Sequence, residues 1–158
     1  MKKKLLIKLI ASFCLLLIFL YPVYAGHTGG DYGVGLNYPG LGVRYYLSNN
    51  FSLEGKGQFE KDIVLGGLRG YYYFNHEAEI LFFTGLEADF ISFKGDDSKG
   101  SGFAGEIFIG GETFIANSLS LQLDFGPAFI SLKDKDTSIK ADGVELVVNF
   151  GVNYYFGK

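Results

Sequence analysis

Apolar and polar residues alternate along most of the chain after residue 25. In the stretch from Val144 to Phe156 every second residue is apolar, and Glu145, Asn149 and Asn153 lie among the residues between them. Successive side chains of a β-strand point to opposite faces, so this stretch predicts a strand with one apolar and one mostly polar face. It is long enough to cross a bilayer as a tilted strand, which takes about 9 to 11 residues.

Eight segments alternate in this way, and no stretch after residue 25 has a helical period. They run over Asp31–Tyr38, Leu41–Leu47, Phe51–Glu60, Ile63–Phe74, Ala78–Phe93, Gly102–Ile115, Leu119–Leu132 and Val144–Phe156. An even number of alternating strands is typical of bacterial single-chain barrels. The predicted fold class is therefore all-β: an eight-stranded antiparallel up-and-down transmembrane β-barrel.

The two faces of these strands differ in charge. The residues assigned to the apolar face include no charged side chain, whereas the opposite face collects acids and bases. We expect the second face to form an interior ion network of Arg44, Glu54, Lys56, Arg69, Glu87, Asp89, Glu106, Asp124 and Glu145. Eight strands enclose only enough room for side chains, and buried charges need partners, so a plugged interior is predicted instead of an open pore.

Counting through the predicted turns gives specific cross-strand pairs. A three-residue turn at Ser48–Asn50 sets Arg44 opposite Glu54, and a two-residue turn at Lys61 and Asp62 sets Glu54 opposite Arg69. Both registers keep like faces together, as pairing requires. Glu54 is thus predicted to lie between two arginines. The same counting sets Gly33 beside Arg44, where a glycine would leave space for the arginine side chain.

The first 25 residues have the layout of a secretory signal peptide: early lysines, an apolar run, and a small residue, Ala25, before Gly26. The predicted organisation is a cleaved signal peptide over residues 1–25 and one barrel domain over residues 26–158. A retained membrane helix is the alternative, but it needs about 20 apolar residues and Lys8 interrupts the run early. Cys14 is the only cysteine, and Phe13 precedes it where a lipid-attachment site needs a small residue.

The balance of acidic and basic residues limits the class of molecule that the protein could bind. Removing residues 1–25 leaves ten basic and 17 acidic residues, a net charge of −7, which excludes a basic nucleic-acid surface. All 23 glycines fall after residue 25 without a repeat period, so they belong within and between the strands.

The connections alternate in length, and aromatic residues gather at one end of the strands. Tight connections are centred on Ser48–Asn50, Asn75–Glu77 and Ala116–Ser118, and long ones are predicted at Lys94–Ser101 and Lys133–Gly143, although those near Pro39 and Asp62 are short. The aromatic clusters are Tyr45–Tyr46, Tyr71–Phe74 and Tyr154–Phe156, from which we expect a periplasmic girdle of Tyr45, Tyr72, Phe74, Tyr154 and Phe156. Both patterns are typical of outer-membrane barrels.

Three runs carry a family resemblance. Gly42–Glu54, Gly67–Phe74 and Asn153–Phe156 resemble small eight-stranded outer-membrane barrels, including the membrane domain of outer membrane protein A. The resemblance implies a monomer in the bacterial outer membrane that contacts membrane lipid and lipopolysaccharide and is inserted by the barrel-insertion machinery. One departure is that Gly157 and Lys158 follow Phe156, where such barrels usually end on an aromatic residue.

Catalytic and metal sites are weakly indicated. Glu87 with Asp89, or Glu106 with Glu112, could form an acid and base pair, but carboxylates in a narrow barrel are more often salt-bridged. The only histidines, His27 and His76, are predicted to be solvated near the periplasmic end. Since nucleophilic catalysis needs a nearby base, we expect neither an enzyme nor a cofactor or metal site.

The charged connections offer the remaining functional candidates. Their residues are Asp96, Asp97, Lys99, Lys133, Lys135 and Asp136. They form either solvated tips or contacts with lipopolysaccharide, divalent ions or a neighbouring surface. The predicted function is therefore a structural or surface-interacting outer-membrane protein. A narrow porin-like channel is the first alternative. A secreted lipocalin-like barrel, with its apolar face turned inward around a small apolar ligand, is the second.

Overall fold

The structure is a computed structural model that describes residues 26–38, 40–75, 78–95, 99–135, 137 and 139–156. They form the strands β1 (Tyr32–Tyr38), β2 (Gly40–Tyr46), β3 (Phe51–Glu60), β4 (Ile63–Tyr73), β5 (Leu81–Lys94), β6 (Lys99–Ala116), β7 (Leu119–Asp134) and β8 (Lys140–Phe156). Each strand pairs antiparallel with the next, and β8 pairs with β1 to close the barrel. The all-β, eight-stranded antiparallel barrel is confirmed. Within these ranges, no helix has the length and hydrophobicity needed to span a membrane.

The predicted register is also confirmed. Arg44 pairs with Gly33 on β1 and with Glu54 on β3, and Glu54 pairs with Arg69 on β4. The two-residue turn between β3 and β4 contains Asp62 at φ 68°, a left-handed conformation that aspartate tolerates better than most residues. This turn chemistry holds β3 and β4 in the register that places their charged residues on one face.

The apolar face of the sheet points outward. Leu146 is 73% exposed on the outer surface, whereas Asp124 on the inner face is fully buried. Exposed apolar side chains cover the outside of all eight strands, from Val34 on β1 to Phe156 on β8. The barrel therefore has an apolar exterior and, in its filled section, a charged interior.

The wall of the barrel is uneven in height. β6 begins at Lys99 and β8 at Lys140, so most residues of the two long connections predicted from their charge are strand residues. The prediction was wrong because a strand that extends past the apolar belt keeps its backbone hydrogen bonds without apolar side chains; Lys133 and Lys140, for example, pair across β7 and β8. By contrast, β1 and β2 have only 7 residues each.

Candidate functional site

The buried polar residues inside the barrel form two clusters. We name the end where β2 meets β3, β4 meets β5 and β6 meets β7 the short-turn end, and the opposite end the long-loop end, after the predicted connections. The predicted alternation in length is wrong, because strands extend into the predicted long connections: the strand bounds leave connections of 4, 7 and 2 residues at the first end and of 1, 2, 4 and 5 residues at the second. The short-turn cluster contains His27, Asn37, Arg44, Glu54, Tyr71, Tyr73, Glu112, Ser120, Gln122 and Tyr155. The long-loop cluster contains Lys56, Arg69, Glu87, Asp89, Glu106 and Asp124.

Glu112 is the acceptor at the centre of the short-turn cluster. It is fully buried, and the hydroxyl groups of Tyr73 and Tyr155 donate hydrogen bonds to it over 2.8 and 2.7 Å. Ser120 donates a further hydrogen bond, and a guanidinium nitrogen of Arg44 lies 3.5 Å away. A carboxylate offers about four lone-pair sites, so these donors satisfy it without water.

Arg44 is held by acceptors from two sides. Its Nε and Nη2 donate to Oε2 of Glu54 over 2.9 and 2.5 Å, and Nη2 also donates to Gln122 over 2.7 Å. The hydroxyl of Tyr71 donates to the same Glu54 oxygen over 2.8 Å, while the Tyr71 ring centre lies 4.0 Å from the guanidinium carbon of Arg44. The interaction of Arg44 with Glu54 is therefore a buried ion pair enclosed by polar and aromatic groups.

The predicted position of Glu54 between two arginines is wrong for the side chains. Arg69 turns toward the long-loop end, where its guanidinium lies 2.7 Å from both Glu87 and Asp124. The Tyr71 ring stands between the arginines, 4.0 Å from Arg44 and 5.2 Å from Arg69. Backbone pairing set the register correctly, but the ring occupies the space through which Arg69 would reach Glu54.

The space above Gly33 is also filled differently from the prediction. A Cβ atom placed on Gly33 would lie 2.6 Å from the Tyr155 ring, so the glycine accommodates the tyrosine of β8 and not Arg44. Gly85 makes the same kind of space for Phe108. Inner-face glycines thus let large rings lie flat against the wall.

The long-loop cluster carries more acid than base. Lys56 pairs with Glu87 and lies 3.7 Å from Asp89, while Asn149 and Gln122 donate to Asp124. Glu106 is 5% exposed and pairs directly with Glu87 on the neighbouring strand β5. The Oε1 atom of Glu106 has no hydrogen-bond partner among the described residues. Two bases face four acids in this cluster, so its formal charge is −2.

Glu145 does not join the buried network. It is exposed, although it shares the inner face and pairs with buried Ala128 on β7. The prediction assumed an interior filled along its whole height. The strand instead carries Glu145 past the filled section, toward the open long-loop end.

The aromatic clusters divide between the two faces. Tyr45, Tyr72, Phe74, Tyr154 and Phe156 are exposed on the outside near the short-turn end, as the girdle requires. Tyr46, Tyr71, Tyr73 and Tyr155, which the sequence clusters included, are buried inside the barrel. Adjacent residues of a strand point to opposite sides, so each run of aromatics supplies both faces.

His27 contradicts the prediction of a solvated residue. It is buried at the short-turn end, stacks on Tyr46 with ring centres 3.9 Å apart, and lies 3.3 Å from Glu112. No strand pattern reaches this residue, so its burial could not be predicted from the alternation of apolar and polar positions. His76 lies outside the described residues.

Sequence reasoning missed most of the short-turn cluster. Glu112 and Gln122 lie on the polar face of their strands, but residue type alone did not distinguish them from their neighbours. Tyr73 and Tyr155 belonged to the aromatic clusters but not to the predicted girdle, and strand alternation places them on the inner face, where they are buried.

The three described residues of the predicted loop contacts lie together at the long-loop end of β6 and β7, where the backbone N–H of Lys135 donates to the carbonyl of Lys99 over 2.9 Å and Lys133 pairs with Ser101. Lys99 begins β6, Lys133 belongs to β7, and Lys135 follows the end of β7. Asp96, Asp97 and Asp136 lie outside the described residues.

The described part of the chain holds no group of three or more potential metal-ligating side chains. Compared with models of known protein families and with curated protein sequences, the chain gives no match.

Proposed function

We propose that the chain is an integral protein of the bacterial outer membrane, a closed barrel with a structural or surface-contact role. The observation that carries this proposal is the distribution of side chains: the exterior is apolar, and the buried interior holds the charges. An apolar exterior of this extent is costly in water and favourable in lipid, where a closed barrel pairs each strand with both of its neighbours. The girdle near the short-turn end and the family resemblance support the same location.

A narrow channel is less well supported. Arg44, Glu54, Glu112 and the rings around them fill the short-turn half of the interior by direct contacts. A lipocalin-like binder would require an apolar cavity surrounded by a polar exterior, which is the reverse of this distribution.

The decisive experiment compares a lysine substitution in the middle of the apolar belt with another on the same outer face, at the long-loop edge of that belt. Leu68 is 67% exposed midway along β4, between Val64 and Tyr72. In a membrane barrel, Leu68→Lys costs about 2–4 kcal/mol because the charge enters the middle of the bilayer. Ser131→Lys, on the outer face of β7 near the long-loop end, should be tolerated.

Insertion into lipid vesicles would be measured by heat-modifiable migration on gels. Reduced insertion of Leu68→Lys, with normal insertion of Ser131→Lys, supports the membrane barrel. Equal behaviour of the two variants, or recovery of the unmodified protein from the soluble periplasmic fraction, would reject it. In planar bilayers the unmodified protein should give no steady conductance, and a steady one would favour the channel.

A further inference from the structure

The inner wall near the long-loop end is largely apolar and accessible to solvent, with Gln58, Glu60 and Glu145 as polar exceptions. Leu65, Ile91, Ile130 and Val147 continue the inner-face rows beyond the charged clusters, and each is only half-buried. Phe93 lies on the same face with its ring against Gly100. We call this region the cup. It differs from the short-turn half, where the inner face is fully buried.

The floor of the cup offers unpartnered acceptors. Asp89 and Glu106 are 8% and 5% exposed, and each has one carboxylate oxygen without a hydrogen-bond partner among the described residues. Lys56, on the same floor, already pairs with Glu87. An unpaired buried acceptor is costly, and a formal charge of −2 favours a cation. The floor therefore complements a positively charged hydrogen-bond donor.

The barrel wall is notched beside the cup. β1 ends at Tyr38, opposite Phe150, but β8 continues to Lys140, and no other described strand pairs with that extension on the β1 side. With a rise of about 3.3 Å per residue and a tilt of about 40°, the outer-face Val144 stands roughly 15 Å above the end of β1.

The notch is apolar at its base. A groove of about 500 Å³ lies there between Leu41 and Phe59 on one side and Phe150 on the other. Outer-face Val144 and Leu146 are exposed on the β8 side, so the notch falls within the apolar belt of the barrel. The unpaired edge of β8 at the notch is unfavourable in hydrocarbon, where no water satisfies its backbone groups. The same gap in the wall gives the cup a side opening toward the surrounding lipid.

We propose that the cup binds a single-chain amphiphile from the outer leaflet, with its cationic head group on Asp89 and Glu106 and its alkyl chain along the apolar wall. This inference rests on the proposed membrane location. The wall selects an apolar chain, and a cationic head group, unlike an anionic one, would keep the two carboxyl groups ionised, so that they accept its hydrogen bonds. The notch provides the path between the bilayer and the cup.

The test uses a tryptophan reporter, because the chain contains no tryptophan. Phe93→Trp places the reporter on the inner wall of β5, and Phe90→Trp places a control on its outer face, where Phe90 is 49% exposed. Both variants are reconstituted in lipid nanodiscs and titrated with a bromoalkyl ammonium and with a bromoalkyl carboxylate of equal chain length. Bromine quenches tryptophan only at short range.

The ammonium probe should quench the Phe93→Trp reporter to saturation, with an affinity at least tenfold higher than that of the carboxylate. The Phe90→Trp control should show only unsaturable quenching from partition into lipid. Adding Glu106→Gln should reduce the preference for ammonium severalfold. Unsaturable quenching of the Phe93→Trp reporter, or equal affinities for both head groups, would overturn the proposal. Failure of the unmodified protein to enter nanodiscs would instead count against the membrane location.

Discussion

Replacing Glu112 by glutamine tests whether the short-turn cluster stabilises the barrel. The change preserves volume but removes the negative charge that accepts from Tyr73, Tyr155 and Ser120 and lies 3.5 Å from Arg44. Hydrogen bonds to a charged group contribute about 1.5–3 kcal/mol each. The amide oxygen keeps some of these bonds, and Arg44 keeps Glu54, so we expect a loss of about 3 kcal/mol in the free energy of unfolding.

The matched control is Glu145→Gln, the same substitution on the same face at an exposed position. It should change stability by less than about 0.5 kcal/mol, as surface substitutions usually do. Urea unfolding in lipid vesicles, followed by the gel mobility of the folded form, measures both variants. If Glu112→Gln loses no more stability than Glu145→Gln, the short-turn cluster does not stabilise the fold as argued.

Three further predictions use the same assay. In double-mutant cycles, Glu54→Gln should couple to Arg44→Met by about 1–3 kcal/mol but to Arg69→Met by less than about 0.5 kcal/mol, because the side chain of Arg69 pairs with Glu87. Equal coupling energies would support the predicted position of Glu54 between the two arginines. Gly85→Ala should lower the free energy of unfolding by about 1–3 kcal/mol, because its Cβ would meet the Phe108 ring and the Gly70 carbonyl. Gly55→Ala, whose Cβ would meet no atom within 4 Å, should cause no such loss. Similar losses for the two variants would contradict the packing of rings against inner-face glycines. His27→Ala should cost about 1–3 kcal/mol through its Glu112 contact, and a neutral result would mean that its burial contributes nothing.

Most of the fold could be predicted from the chain because strand alternation, turn length and closure are local or additive properties. The turn at Ser48–Asn50 fixes the register of β2 with β3, and the turn at Lys61 and Asp62 fixes that of β3 with β4. A one-residue error in either would have moved charges to the outer face. Strand ends were less predictable. Lys133 and Lys140 belong to a hairpin that continues beyond the apolar belt, where the hydrophobic pattern carries no information.

The side-chain geometry could not be predicted in the same way, because it depends on competition for a limited volume. Arg69 had an acid beside it on each neighbouring strand, Glu54 and Glu87, and the sequence does not state which one it reaches. The Tyr71 ring decides in favour of Glu87 by filling the space on the other side.

One inner-face row links the register to the proposed site. It pairs Arg44, Glu54, Arg69, Glu87 and Glu106 across consecutive strands, so charge alternates until two acids meet. Like charges directly opposite each other are destabilising, and no base is left in this row to neutralise Glu106. The alternation fails where the filled section ends and the apolar cup begins. A structural plug has no need of an unpaired acid at that boundary, whereas a cationic head group would complete the row.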